Sequence, residues 1–169
     1  MLRWYEEIRK YEELVKQLTN KKEKEEIVKF LGMLTEKLEK LEERIVKLAD
    51  LAVITGIKVI PTASVKVIID GKEYVAAETG VGPVDAAIKA IQKITHNLAN
   101  VRLREYRLEA LTGGSDAVAE VVIKVEDKYG NVVSARGARE DIVMASVEAM
   151  IEGINKILLK SKRQKTQPS

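Results

Sequence analysis

The chain of 169 residues carries 29 Lys and Arg against 26 Asp and Glu, with a single histidine and no cysteine. At roughly 150 residues per domain this length allows one good core with an appendage. The missing cysteines exclude disulfides, thiolate metal sites and thiol chemistry, as a reducing cytoplasm permits. The net charge of +3 comes largely from Lys160, Lys162, Arg163 and Lys165 in a polar tail, so the remainder is nearly balanced and lacks the basic face of a nucleic-acid binder.

No apolar run reaches the roughly 20 residues of a membrane span, and Met1 is not followed by the pattern of a secretory signal. The Lys and Glu content leans towards a thermophile. Trp4, Ile8, Tyr11, Val15 and Leu18 recur at steps of four and three, which predicts an amphipathic helix. Asn20 and Glu23 have the spacing of a capping box, and a second helix is expected from there. Ile27, Leu31, Leu34, Leu38, Leu41, Ile45, Leu48 and Ala52 hold a 3.5-residue period, the seam of a helical hairpin or coiled coil. Such a seam needs a partner, either the first helix or another subunit.

From about Leu51 the period becomes alternating. Leu51 and Val53, then Val65, Val67 and Ile69, and after the Asp70-Gly71 turn Tyr74 and Val75, predict three strands. Gly80 to Gly82 breaks the pattern, Pro83 suits a first helical position, and Ala86, Ala87, Ala90, Ile91 and Ile94 give a buried stripe. The order then returns: strands over 103–111, 118–125 and 132–135, with a turn at Tyr129-Gly130-Asn131, and a helix from about Arg139 to Leu159. Ile54-Thr55-Gly56, Gly71 and Gly80 come back as Leu111-Thr112-Gly113, Gly130 and Gly137, at an offset of about 57 residues. The expected fold is α+β: duplicated β-β-β-α units with helices packed on antiparallel sheets, preceded by an N-terminal helical hairpin. The corresponding domains are a hairpin or linker arm over 1–50, a duplicated body over 51–160 (units 51–98 and 102–160), and a disordered basic tail over 161–169. The boundary shared by two such copies is a natural place for a ligand or a second subunit.

Gly80-Val81-Gly82-Pro83-Val84-Asp85-Ala86-Ala87, Glu105-Tyr106, Thr112-Gly113-Gly114-Ser115-Asp116-Ala117, and Gly137 with Asp141-Ile142-Val143 and Ala145-Ser146 occur in order along two thirds of the chain. Together they resemble the C-terminal regulatory, or LeuA dimerisation, domain of 2-isopropylmalate synthase and its relatives citramalate synthase and some homocitrate synthases. The resemblance implies a non-catalytic module that forms a homodimer and binds an end-product amino acid near the dimer interface. Leucine is the first choice, isoleucine next and lysine the weakest. Binding would inhibit an acetyl-CoA-dependent condensation in a separate catalytic barrel, present in trans or in a longer chain. That chemistry uses a metal held by paired histidines and carboxylates, and this sequence has only His96, expected to be solvated near the end of the first repeat's helix. No catalytic residue, metal ligand or cofactor is therefore expected here. A purely structural assembly module that binds no ligand is the alternative.

The resemblance brings nine residues forward as effector-binding candidates. Gly80, Val81 and Gly82 would let backbone N–H groups approach a ligand carboxylate at a helix N-terminus. They equally make an ordinary helix start, with Asp85 suited to the first turn and already supplying an anion there. Leu103, Tyr106 and Ala110 correspond to the effector pocket, although Leu103 also fits a core and Tyr106 a surface. Small Ala110 and Ala117 would leave room for a branched side chain, and Asp116 could accept from the ligand's ammonium or simply shape a Gly-Gly-Ser-Asp turn. Arg139 stands where serine is common in the family, which removes an expected N-cap from the second helix.

Overall fold

The computed structural model describes residues 9–11, 13–15, 17, 20–42 and 44–166. Trp4, Ile8 and Leu18 of the first predicted helix lie outside them. The chain divides into two compact units, Met1–Arg44 and Ile45–Ser169. In the first unit residues 9–11 and 13–15 are helical, and helix α1 spans Lys21–Glu42. Asn20 caps α1 through its side-chain oxygen, which accepts from the N–H groups of Lys22 and Glu23 at 3.2 and 3.5 Å. These are two of the donors that a helix start leaves without partners.

The second unit is built as β1 (Val46–Ile54), β2 (Thr62–Ile69), β3 (Lys72–Thr79), α2 (Pro83–Thr95), β4 (Arg102–Ala110), β5 (Ala119–Glu126), β6 (Val132–Arg139) and α3 (Ile142–Thr166). It contains two antiparallel three-stranded sheets, in the orders β1-β2-β3 and β4-β5-β6. The central strands alternate strictly, with Ala63, Val65, Val67 and Ile69 of β2 and Val121, Ile123 and Val125 of β5 buried. Two helices cover these faces: α2 lies on β2 and β3, α3 on β5 and β6, and the two helices touch. The duplicated β-β-β-α architecture is thus present as expected.

The helical period that runs on through Leu48 and Ala52 does not hold. α1 ends at Glu42 and β1 begins at Val46, because Val46 to Ile54 pair along β2 and Asn155 of α3 clamps the strand's first residues. The Asn155 side-chain oxygen accepts from the N–H groups of Ile45 and Val46 at 2.9 and 2.8 Å, and its amide donates to the Val46 carbonyl at 2.8 Å. Long-range pairing overrides a local helical pattern here. The second repeat's helix, α3, also runs further than expected, through Thr166, so residues 161–166 are helical and not part of a disordered tail.

The repeats match in structure with a different register from the one their glycines suggest. Each first strand carries a bulge, after Leu48 in β1 and after Leu103 in β4. Aligning the bulges aligns Leu51 with Tyr106 and Val65 with Ile123. The hairpin between β2 and β3 closes through Asp70 and Gly71, both at positive φ, as a two-residue primed turn does. Its counterpart is longer: the Asp127 carboxylate accepts from the N–H groups of Tyr129 and Asn131 and from the Asn131 amide. The one extra residue carries the alignment forward to Pro83 with Ile142, and Ala86, Ala87 and Ala90 with Ala145, Ser146 and Ala149. Gly80 therefore aligns with Arg139, and Gly137 with Glu78. The two glycines are not equivalents, although each faces the same part of its helix: a Cβ on Gly80 would lie 2.4 Å from the Ala86 nitrogen, and one on Gly137 2.1 Å from the Ala145 carbonyl oxygen.

Candidate functional site

The nine candidate residues fall into three places. Gly80, Val81, Gly82 and Asp85 form the start of α2. The Gly80 N–H donates to the Pro61 carbonyl at 3.0 Å, and Gly82 is the extended N-cap residue, whose carbonyl accepts from the Ala86 N–H at 3.0 Å. The Val81 N–H, a natural donor to a ligand carboxylate, is already taken by the Asp85 carboxylate at 3.0 Å. Lys89 pairs with the same carboxylate at 2.7 Å, and these two bonds hold the Asp85 carboxyl below its ordinary range. The helix start is thus satisfied by its own side chain. Around it Ile57, Ile60 and Val81 stand out into solvent, Ile57 at 93% and Val81 at 94% exposure.

Leu103, Tyr106 and Ala110 lie on β4, opposite Val125, Ile123 and Ala119 of β5. Directly paired residues share a sheet face, so these side chains lie on the face that α3 covers. α3, however, lies over β5 and β6, and β4 packs against β5 with no helix across it. Leu103 still reaches the core. Tyr106 and Leu108 are 37% and 46% exposed, and they form with Ala110 an apolar ledge along the sheet edge.

One polar group interrupts that ledge. The Tyr106 hydroxyl lies 2.7 Å from the Ser146 hydroxyl, which donates to the Ile142 carbonyl at 2.7 Å in the first turn of α3. Since serine has one hydroxyl proton, Tyr106 is the donor in this chain of bonds and keeps its oxygen lone pairs open. Ser146 is buried and was not among the sequence candidates. Its signal was a hydroxyl inside the small apolar stripe of Ala145 and Ala149. In the first repeat the same two positions are Leu51 and Ala87, so the polar pair exists in the second repeat alone.

Ala110 ends β4, and Asp116 and Ala117 lie in the loop that joins β4 to β5. The Leu111 N–H donates to the Val118 carbonyl at 2.8 Å, and the Val118 N–H to the Thr112 hydroxyl at 2.9 Å, closing the loop that holds Asp116 and Ala117. Asp116 is exposed and Ala117 half-buried. The expected loss of an N-cap at Arg139 is replaced by a different arrangement. Arg139 ends β6 and pairs with Glu148, while the Asp141 carboxylate accepts from the Met144 N–H at 2.8 Å and caps α3. Asp141 does the work that the family's serine position suggested.

No group of three or more His, Cys, Asp or Glu side chains among the described residues could hold a metal ion, and no helix among them is long and apolar enough to cross a membrane. His96 is exposed at the end of α2, as expected. The body is thus a duplicated α+β domain with a partly uncovered edge strand, on whose ledge Tyr106 and Ser146 set a polar pair.

The family is identified by comparison: residues 24–158 match the model of the LeuA allosteric (dimerisation) domain, and the chain belongs to that family. It is 58% identical over 116 residues to a protein provisionally named 2-isopropylmalate synthase from Methanopyrus kandleri, covering 68% of this chain and 23% of that one. It is 50% identical over 122 residues to the 2-isopropylmalate synthase of Methanocaldococcus jannaschii, covering 72% and 23%. A protein provisionally named (R)-citramalate synthase from Archaeoglobus fulgidus is 53% identical over 113 residues, covering 67% and 23%. The chain spans about a quarter of the length of the curated relatives it matches.

Proposed function

We propose that this chain is the effector-sensing and dimerising part of a 2-isopropylmalate or citramalate synthase, binding a branched amino acid, leucine first. Bound effector would inhibit an acetyl-CoA-dependent acyl transfer carried out by a catalytic barrel, in the cytoplasm. The observation that carries the reading is the β4 ledge. Tyr106, Leu108 and Ala110 offer apolar surface along β4, the part of the sheet's inner face with no helix across it, and burying a branched side chain there contributes about 1.5–3 kcal/mol. The Tyr106 hydroxyl, already polarised towards Ser146, offers its lone pairs to an ammonium group.

The Gly80 to Gly82 bend has a more limited part in this reading. Asp85 occupies the Val81 N–H, so a ligand carboxylate arriving there has to displace an anion held by Lys89. The family's dimerising role also fits the exposed Ile57, Ile60 and Val81, a patch suited to cover by a second copy. Inhibition then follows if the effector binds one dimer arrangement more tightly than another, biasing the partner through the N-terminal helices. Calorimetry with leucine, isoleucine, valine and lysine tests the reading, with Tyr106→Ala as the control variant. Saturable heat with leucine, lost in Tyr106→Ala, is expected. Absence of saturable heat with all four leaves the purely structural dimerisation module, which sedimentation of the same samples examines separately.

A further inference from the structure

A groove of about 620 Å³ opens where the last turns of α2 pass into β4, lined by Lys89, Lys93, His96 and Arg102 with the amides of Asn97 and Asn100. Asn100 and Arg102 also wall a neighbouring hollow of about 340 Å³, to which Arg104 and Lys128 contribute. None of the nine effector candidates lines either hollow. The carboxylates of both are already engaged. Glu78 is paired with Lys93 and Glu126 with Arg104, and Asp127 accepts three bonds from its own turn.

The cations are not balanced in the same way. Among the described residues Arg102 has no bonded carboxylate, and it acts on Glu126 only through space. Lys128 rests 5.0 Å from the centre of the Tyr129 ring. Surplus positive charge is therefore left on the wall between two joined hollows, beside amide groups that can add donors. The larger volume lies in the range of small-molecule sites, about 300–1,000 Å³. A guanidinium on a shared wall matches phosphate oxygens in a two-pronged fashion. A zwitterionic amino acid would gain little at so exposed a place, whereas an oligoanion can engage both hollows at once.

We propose that this double hollow binds the diphosphate or triphosphate group of a small molecule, with Arg102 as the central contact. The site is independent of the amino-acid reading above, and either can fail without the other. The test is calorimetry of the full 169-residue chain with inorganic pyrophosphate in 0.15 M KCl, beside ADP. Saturable pyrophosphate binding is expected, weakened at least tenfold by Arg102→Gln and severalfold by Arg102→Lys, which keeps the charge but not the fork. Lys156→Gln, which lines neither hollow, should bind as the parent does, and circular dichroism checks that each variant is folded. Tighter binding of ADP would assign a nucleotide; equal binding would assign the diphosphate alone. The proposal is overturned if pyrophosphate gives no saturable heat at millimolar concentration, if folded Arg102→Gln binds like the parent, or if Lys156→Gln weakens binding as much as Arg102→Gln.

Discussion

Gly80 and Gly82 stand two residues apart in the same bend, and the structure assigns them opposite responses to a side chain. A Cβ on Gly80 would lie 2.4 Å from the Ala86 nitrogen, 2.9 Å from its Cα and 2.7 Å from the Asp85 carboxylate. Two of these neighbours are helical backbone and cannot swing aside. Gly80→Ala therefore forces the link between β3 and α2 to shift, and overpacking of this kind costs about 1–3 kcal/mol. Reduced freedom of the unfolded chain returns about 0.4–1 kcal/mol, leaving a net loss of up to about 2.6 kcal/mol and of about 1.3 kcal/mol at mid-range. For a chain of this size the mid-range loss lowers the Tm by roughly 3–5 °C, at about 2–4 °C per kcal/mol. Gly82 has φ −158°, no side-chain cap, and nothing within 4 Å of an added Cβ. Gly82→Ser supplies a hydroxyl to the N-cap and should stabilise by a few tenths of a kcal/mol. Urea unfolding of both variants, followed by circular dichroism at one protein concentration, measures the two signs. A Gly80→Ala protein as stable as the parent, or a Gly82→Ser protein more than 1 kcal/mol weaker, would refute the packing account of this bend. Leucine titration of a folded Gly82→Ser variant then asks separately whether the open side of the bend meets the effector.

Asn155→Ala should cost about 2–4 kcal/mol in the same assay, since two N–H groups and a carbonyl at the start of β1 lose their partner at a buried site; hydrogen exchange of Ile45 and Val46 should quicken with it. Tyr106→Phe should cost no more than about 1 kcal/mol, because Ser146 keeps its bond to the Ile142 carbonyl, and its effect on leucine affinity should exceed its effect on the urea midpoint. Asp127 supplies a pH dependence: burial acts to raise its carboxyl, but the bonds from Asn131 and Tyr129 and the attraction of Lys160 prevail and hold it below the ordinary value. A lowered folded value means stability that is present above the unfolded value of about 3.9 and lost as pH falls through the folded one. The gap in urea midpoint between the parent and Asp127→Asn should therefore narrow between pH 5 and pH 2, and a gap that stays constant would contradict the assigned cause.

What the amino-acid pattern made legible was whatever depends on neighbours in the chain. Alternation in 63–69 and 119–125, the Asp70-Gly71 turn and the Asn20 cap are local events, and each lies where its residues say. The end of α1 was not legible, because Ile45 to Ala52 satisfy a helical period while their hydrogen bonds go to β2 and to Asn155, more than a hundred residues away. The register of the repeats was misread for a related reason. Matching Gly80 to Gly137 ignores the longer loop that Asp127 ties together, and only the paired bulges after Leu48 and Leu103 reveal the true correspondence. Of the candidate site, the sequence brought forward Tyr106 and Ala110 but not Leu108 or Ser146, since nothing in spacing tells which edge strand a helix will leave uncovered.

That uncovered edge has a physical origin in the unequal lengths of the two helices. Pro83 and Ile142 open them at equivalent positions, yet α2 has 13 residues and α3 has 25. Asn155, which clamps β1, aligns with His96, the residue at which α2 stops. The longer helix therefore reaches back to the first strand of the other repeat, whereas the shorter one bonds to the residue before β4, from the Gln92 amide to the Val101 carbonyl at 3.1 Å. β4 keeps Leu103 in the core and joins Tyr106 to α3 through its hydroxyl, but Leu108 and Ala110 are left on its inner face with no helix over them. Duplication alone would have given two closed lobes or two open ones. Truncating α2, and replacing Leu51 and Ala87 by the Tyr106 and Ser146 pair, leaves one open lobe with one polar handle. On this basis a chain that binds an amino acid at the ledge should bind one equivalent rather than two, and calorimetric stoichiometry near two per chain would contradict the asymmetry argued from the helix lengths.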